Sequence, residues 1–215
     1  MLRKQCTKGI DANMAGILLL AAGSGNRFIA AGGTGNKLNA AMTETAENSV
    51  TVFDATLAQA IASGMPVHVI TRPDNVPVQA SCARAKVPVT LAETGGTGES
   101  IAAGVRDTPD WDGWLIHLAD MPFVTPDIFI AVADTLRSAS IVRPYWQNEP
   151  GHPVGFACLL REKLLQLRGD QGARELLHSH EMLRVDFNNP AVIRDIDLPS
   201  QLSAHVSDGN MYATS

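Results

Sequence analysis

Short apolar runs alternate with segments of helical period along this chain. The first run, residues 17–22, is bounded by Gly16 and Gly23 and shows neither a helical nor an alternating period, so a strand buried on both faces fits it. Residues 29–49 are rich in Ala, Gly, Thr and Asn with little periodicity, which predicts a long loop with one short helix around 38–42. Phe53, Leu57, Ala60 and Ile61 then recur at helical spacing with Gly64 as a C-terminal cap, predicting a helix over 53–63. Strands are predicted over 66–71 and 87–92, with a helix over 76–85 between them. This alternation implies a parallel sheet with right-handed crossovers.

The pattern continues to the end of the chain. A helix opens within 93–100 and runs through Val105, and a fourth apolar strand covers 114–119. Thr125, Pro126 and Asp127 start a helix to about Ser138, with Thr as N-cap, Pro at the first helical position and Asp at the positive end of the dipole. Residues 139–145 and 153–158 read as two strands joined by the polar turn 147–151, a hairpin that makes the sheet mixed. Helices over 159–167 and 171–180, a strand over 183–187 and a closing helical turn over 198–204 follow. The expected class is α/β with a mostly parallel, mixed, Rossmann-like sheet. Residues 1–13 read as a loosely packed tail and 14–215 as one domain, long enough to bury a sizeable core.

Composition narrows the functions open to such a fold. Hydrophobic residues at 45% and charged residues at 18% describe a soluble globular protein rather than a disordered one. A net charge of -5 argues against nucleic acid as a partner, because that binding needs many Lys and Arg at phosphates. No segment is long and apolar enough to span a membrane, and residues 1–13 lack the apolar core of a signal peptide. Cys6, Cys82 and Cys158 are scattered, match no metal spacing and read as free thiols of a reducing cytosol. A cytoplasmic location is expected.

The candidate chemistry begins in GILLLAAGSGNRFIAAGGTGNK, residues 16–37. A buried parallel strand ends there in Gly23, Ser24 and Gly25, whose N–H groups could approach phosphate oxygens, while Arg27 and Lys37 supply charge. The stretch is not a P-loop, since Asn36 and Leu38 flank Lys37, and it lacks the third glycine of a dinucleotide fingerprint, where Phe28 stands. A surface loop with two solvated cations is the alternative. A second glycine cluster, ETGGTGES at 93–100, either holds a base or phosphate at a helix start or is an ordinary cap using Thr97 or Ser100. Asp120, at the end of the fourth strand, sits where a Mg²⁺ ligand or a turn aspartate would. His117 on that strand reads as a packed core histidine and receives no role.

Taken in one order, LAAGSGNR, Lys37, GTGES, LADMP, RPYWQNEPGHPVGF, RGDQGARELL and DIDLPSQL resemble the family of molybdenum cofactor cytidylyltransferases and guanylyltransferases. The resemblance covers nearly everything after Met14 and implies a three-layer α/β/α fold. It implies a nucleotide site at Leu20, Ala21, Ala22, Gly23, Ser24, Gly25, Arg27, Lys37, Thr97, Gly98 and Ser100. Arg27, Lys37 and Asp120 match the catalytic positions, Asp120 and Asp197 the Mg²⁺ positions, and Gly151, His152 and Pro153 a segment facing the pterin. Members with LAAG resemble cytidylyltransferases, so Ala22 points to CTP. The implied reaction moves CMP from CTP to the terminal phosphate of molybdopterin with release of pyrophosphate, for delivery to a molybdoenzyme. Two departures stand out: the interval from Arg27 to Lys37 is lengthened and lacks Met-Gly, and Leu198 replaces Thr in the closing segment. Rival expectations are a cytidylyltransferase for a sugar or polyol phosphate, a non-catalytic nucleotide-binding or chaperone module, and, on fold analogy alone, a dehydrogenase.

Overall fold

The computed structural model describes residues 15–23, 25–42, 49–93, 95–169 and 173–203. Strand β1 (Ala15–Ala21) is buried at every position. Its Ile17, Leu19 and Ala21 face one apolar cluster, while Leu18 and Leu20 face the other. Burial on two sides is why the run carries no period. It is followed by α1 (Asn26–Ala30), a 3-10 turn at Lys37–Asn39, and α2 (Val52–Ala62), whose N-terminus is capped by the Thr51 hydroxyl accepting from the Asp54 N–H at 3.0 Å. Gly64 stands just beyond α2 at φ +74, a left-handed conformation suited to glycine.

The chain then alternates through β2 (Val67–Thr71), α3 (Val76–Ala85), β3 (Val89–Leu91), α4 (Thr97–Asp107), β4 (Gly113–Leu118) and α5 (Pro126–Leu136). Next come β5 (Ile141–Trp146), β6 (Glu149–Pro150), β7 (Val154–Ala157), α6 (Arg161–Leu165), α7 (Arg174–Ser179), β8 (Met182–Asp186) and α8 (Ser200–Ser203). Among the described residues, eight strands make one sheet of order β3-β2-β1-β4-β7-β5-β6, with β8 pairing β5. β1 is parallel to β2 and β4, and β2 to β3. β7 runs antiparallel between β4 and β5, so the sheet is mixed as expected. β6 and β7 form an interrupted return strand, broken at Gly151, His152 and Pro153 on the edge where β4 and β5 end.

Helices cover both faces. Phe53, Leu57, Val78, Ile128 and Phe129 from α2, α3 and α5 pack on one side, and Ile101, Val105, Leu164 and Leu176 from α4, α6 and α7 on the other. The three-layer α/β/α architecture is therefore present. Several local expectations are corrected. The first residues of the segment read as loop from 29 belong to α1, which is too short to leave a period and buries only Phe28. Thr125 stands at the N-cap of α5 but makes no side-chain cap bond. Cys82 is a buried free thiol, whereas Cys158 is disulfide-bonded, contrary to the expectation of free thiols throughout; Cys6 lies outside the described residues. The tail expected over residues 1–13 also lies outside them.

The two-sided core sets a contrast for substitution. Leu115 is 0% exposed in β4, so Leu115→Ala should cost about 2–5 kcal/mol by chemical denaturation. Ile130 on α5 is 44% exposed, and Ile130→Ala should stay within about 0.5 kcal/mol of the parent.

Candidate active site

The parallel register of the central strands assembles the site. Ala21 is opposite Thr71 and Leu20 is opposite Leu118, so the residues that follow β1, β2 and β4 leave the sheet at one edge. There they border a cavity of about 270 Å³. Of the residues expected to hold a nucleotide, Leu20, Ala22, Gly23, Thr97 and Ser100 line it together with Asp120. Gly95 and Gly96 of the second glycine cluster line it too, as do Arg72 and Leu118, which the sequence did not single out. Ser24 lies outside the described residues. Ala21 is buried in the sheet, and Gly25 takes a left-handed conformation at φ 65 as the N-cap of α1. Gly98 does not face the cavity: its amide donates to the Gly169 carbonyl at 2.9 Å, and a Cβ there would lie 2.8 Å from the Arg168 backbone.

The lengthened loop after Arg27 is mostly exposed and is pinned at one residue, Phe28. Phe28 is 2% exposed and stacks against Gly33, where a Cβ would collide with its ring at 2.3 Å, while the Gly33 N–H donates to the Phe28 carbonyl at 2.9 Å. The chain then enters the 3-10 turn, capped by the Asn36 side chain accepting from the Leu38 N–H at 3.0 Å. Leu38 is buried in the core, which fixes its neighbour Lys37 at the cavity edge.

There the Lys37 ammonium lies 2.6 Å from Asp120 Oδ2 and 2.8 Å from Asp197 Oδ1. Arg27 reaches the other oxygen of Asp197 at 2.7 Å. Burial pulls the Lys37 pKa down, but Asp120 and Asp197 outweigh it and hold the ammonium above its ordinary value. Asp197 is held below the usual carboxylate range by the Lys37 hydrogen bond and by Arg27, against a smaller effect of burial. The closing segment is anchored by Ile196, which is fully buried and whose N–H donates to the Asp120 carbonyl at 2.8 Å. Asp195 and Asp197, on either side of Ile196, join Asp120 in a cluster whose ligand atoms lie within 4.8 Å of one another. Burial and the charges of Asp197 and Asp120 raise Asp195. A divalent metal fits these residues: the donors are hard oxygens, and Asp120 Oδ1 is buried with no hydrogen-bond partner.

The GHP segment is near this cluster but not in the cavity lining. The Gly151 amide donates to the Pro144 carbonyl at 2.8 Å, and a Cβ would lie 2.2 Å from the Val192 carbonyl oxygen. His152 donates its N–H to that same carbonyl at 2.8 Å, its Nδ1 lies 3.3 Å from the Ile116 carbonyl, and Asp120 is within its electrostatic reach. His117 is fully buried, edge-on to Phe129 at 4.9 Å, in keeping with a core histidine.

A mixed α/β sheet with glycine turns, cations and carboxylates at the carboxyl edge defines a nucleotide-handling fold. The chain belongs to the MobA-like NTP transferase domain family, whose profile matches residues 17–185. It is accordingly a nucleotidyltransferase-type domain for nucleoside triphosphates. Rv0371c from Mycobacterium tuberculosis H37Rv is similar at 24% identity over 88% of this chain and 96% of that one, with a TM-score of 0.73; a structure of that protein in complex with manganese has a TM-score of 0.64. Molybdopterin-guanine dinucleotide biosynthesis protein A from Archaeoglobus fulgidus is 16% identical over 88% and 95% of the two chains, with a TM-score of 0.64. The 4-diphosphocytidyl-2C-methyl-D-erythritol synthase from Anaerococcus prevotii is 15% identical over 90% and 94%, also at 0.64. These likenesses show a shared fold. No curated protein matches the chain.

Asp195 and Arg72 each left a sequence signal. Two acids around one isoleucine put both carboxylates on the side away from the buried residue, and Arg72 directly follows a predicted parallel strand.

Two histidines beside the site make stability depend on pH. Burial lowers His117 to about 3 and His152 to about 4. Both values lie below the unfolded one of about 6.5, so the unfolded chain takes up protons first and acid favours unfolding. Unfolding temperature should fall as pH drops from about 6.5 toward 4. His152→Gln should flatten part of that decline in a pH series of thermal melts.

Proposed function

We propose that this protein transfers CMP from CTP to the terminal phosphate of a molybdopterin-type acceptor and releases pyrophosphate. The observation that carries the transfer chemistry is the placement of Lys37 at 2.6 Å from Asp120 and 2.8 Å from Asp197, beside a glycine-lined cavity. Both reactants are anions, so the work of the site is to bring them together and offset the charge developing on the transferred and leaving oxygens. Gly23 and the Gly95 and Gly96 turn offer backbone close to the phosphates, and Thr97 and Ser100 open α4 beside them. Arg27, Lys37 and Arg72 supply positive charge for the triphosphate. Asp120, Asp195 and Asp197 would hold Mg²⁺, whose charge offsets that of the phosphates.

Ala22 in LAAG supports CTP over GTP, and the GHP segment at the end of β6 supports a pterin acceptor, through the resemblance of those motifs. Use of a nucleoside triphosphate supports a cytoplasmic location. A sugar or polyol phosphate acceptor is the second reading, favoured by the equal TM-score of 0.64 to the erythritol-linked synthase and to the molybdopterin protein.

The test is pyrophosphate release from CTP, GTP or ATP with Mg²⁺, with and without molybdenum cofactor. Release with CTP and cofactor alone supports the proposal, release with GTP overturns the base assignment, and release only with a polyol phosphate moves it to the second reading. Lys37→Ala should lower kcat/KM by on the order of 10²-fold, as when a stabilising donor is removed. Asp120→Asn should abolish turnover with the fold retained by circular dichroism. In a Mn²⁺ titration followed by electron paramagnetic resonance, Asp195→Asn should weaken binding by on the order of 10-fold or more.

A further inference from the structure

Beyond the nucleotide cavity the sheet carries a second concentration of positive charge. β5 and β8 run parallel with Arg143 opposite Arg184, so both side chains stand on one face. It is the face of Ile141, which packs in the same cluster as Leu20 at the cavity wall. α7 lies over that face through the buried Leu176 and brings Arg174 into electrostatic range of Arg143.

The three arginines are unequally satisfied. Arg184 is paired with Asp186, donates to Asn148 Oδ1 at 2.8 Å, and lies 4.4 Å above the Tyr145 ring. Arg143 is half-buried, and its Nε donates to the Gly151 carbonyl at 3.2 Å. Among the described residues no carboxylate forms an ion pair with Arg143 or Arg174. A guanidinium is always charged and carries five donors, so a half-buried one with a single acceptor is under-satisfied. Burial, with repulsion from Arg174, holds the Arg143 pKa below its ordinary value. The position is on the acceptor side of the site: Arg143 bonds the carbonyl of Gly151, and the charges of Arg143 and Asp120 both act on the next residue, His152.

We propose that Arg143 and Arg174 form a second anion subsite, distinct from the loop of Arg27 and Lys37, that takes an oxyanion group of the acceptor. It rests on the reading of the protein as a transferase with an anionic acceptor. Arg143 supplies the fork, suited to two oxygens of a phosphate or carboxylate, and exposed Arg174 adds a charge that can close over it. The Arg184–Asp186 pair and Tyr145 stand on the same face of the sheet beside Arg143.

The probe is inorganic phosphate, titrated by calorimetry into protein carrying Arg27→Gln to weaken the nucleotide's own phosphate site. Phosphate should still bind, and adding Arg143→Gln should weaken it by about tenfold or more, the scale of one lost charged hydrogen bond. Arg174→Gln, at an exposed position, should weaken it in the same direction and covers the case in which Arg143→Gln fails to fold. In turnover, Arg143→Gln should raise KM for the acceptor by about tenfold with KM for CTP unchanged, and Arg143→Lys should recover part of the loss. Phosphate binding abolished by Arg27→Gln alone, or unchanged by both Arg143→Gln and Arg174→Gln, would overturn the subsite. Absence of turnover with every nucleotide would remove the transferase reading, while the phosphate titration still decides the subsite.

Discussion

Three carboxylates whose ligand atoms lie within 4.8 Å of one another form the constraint around which this site is built. Like charges about 4 Å apart repel by about 4 kcal/mol at an effective dielectric of about 20, so positive charge inside such a cluster stabilises it. Lys37 supplies that charge, bridging Asp120 and Asp197, and Arg27 adds a second cation on the outer oxygen of Asp197. Much of the surrounding structure can be read as holding these groups in place. Leu38 buries itself beside Lys37, Ile196 buries itself between the two outer aspartates, and the Ile196 N–H is bonded to the carbonyl of Asp120. The ammonium and carboxylates come from three distant parts of the sequence, and burial of Leu38 and Ile196 beside them adds to the ion pairs in holding Lys37, Asp195 and Asp197 in place.

The sheet decides where those parts meet. Because β1, β2 and β4 are parallel and in register, each delivers its following residue to one edge. The antiparallel return through β6 and β7 brings Gly151 and His152 to that edge as well, and the missing Cβ of Gly151 lets the Val192 carbonyl approach. The residues proposed for the nucleotide and those proposed for the acceptor thus lie on neighbouring strands.

The elements governed by burial were legible in the sequence. β1 and β4 show as apolar runs without period because both faces are covered, and α2 shows its period because only one face is. The site was legible where a residue follows directly from a strand end, as Gly23 and Asp120 do. It was not legible where contacts distant in sequence decide. α1 depends on the left-handed Gly25 and on the packing of Phe28 against Gly33, neither of which leaves a periodic mark. Gly98, expected at the nucleotide from the family resemblance, has its amide bonded to the Gly169 carbonyl, a partner no local pattern announces. Asp195 was passed over because its place in the carboxylate cluster depends on Ile196 being the buried member of the trio.

The lengthened interval between Arg27 and Lys37 illustrates how such a departure is absorbed. Doubling a flexible loop costs only about 0.6 kcal/mol in closure entropy, and here Phe28 offsets that cost by entering the core. With Leu38 anchored in the core, Lys37 still reaches the carboxylates across the longer interval, its ammonium 2.6 Å from Asp120. The same anchoring ties the charges together. Any anion that drew Lys37 away from Asp120 and Asp197 would leave three carboxylates in need of another cation, and any cation entering the carboxylates would release Lys37 toward an anion. Under the proposed function, each of the two ligands would remove the penalty that the other faces alone, and the coupling expected from charge balance would be equal in both directions.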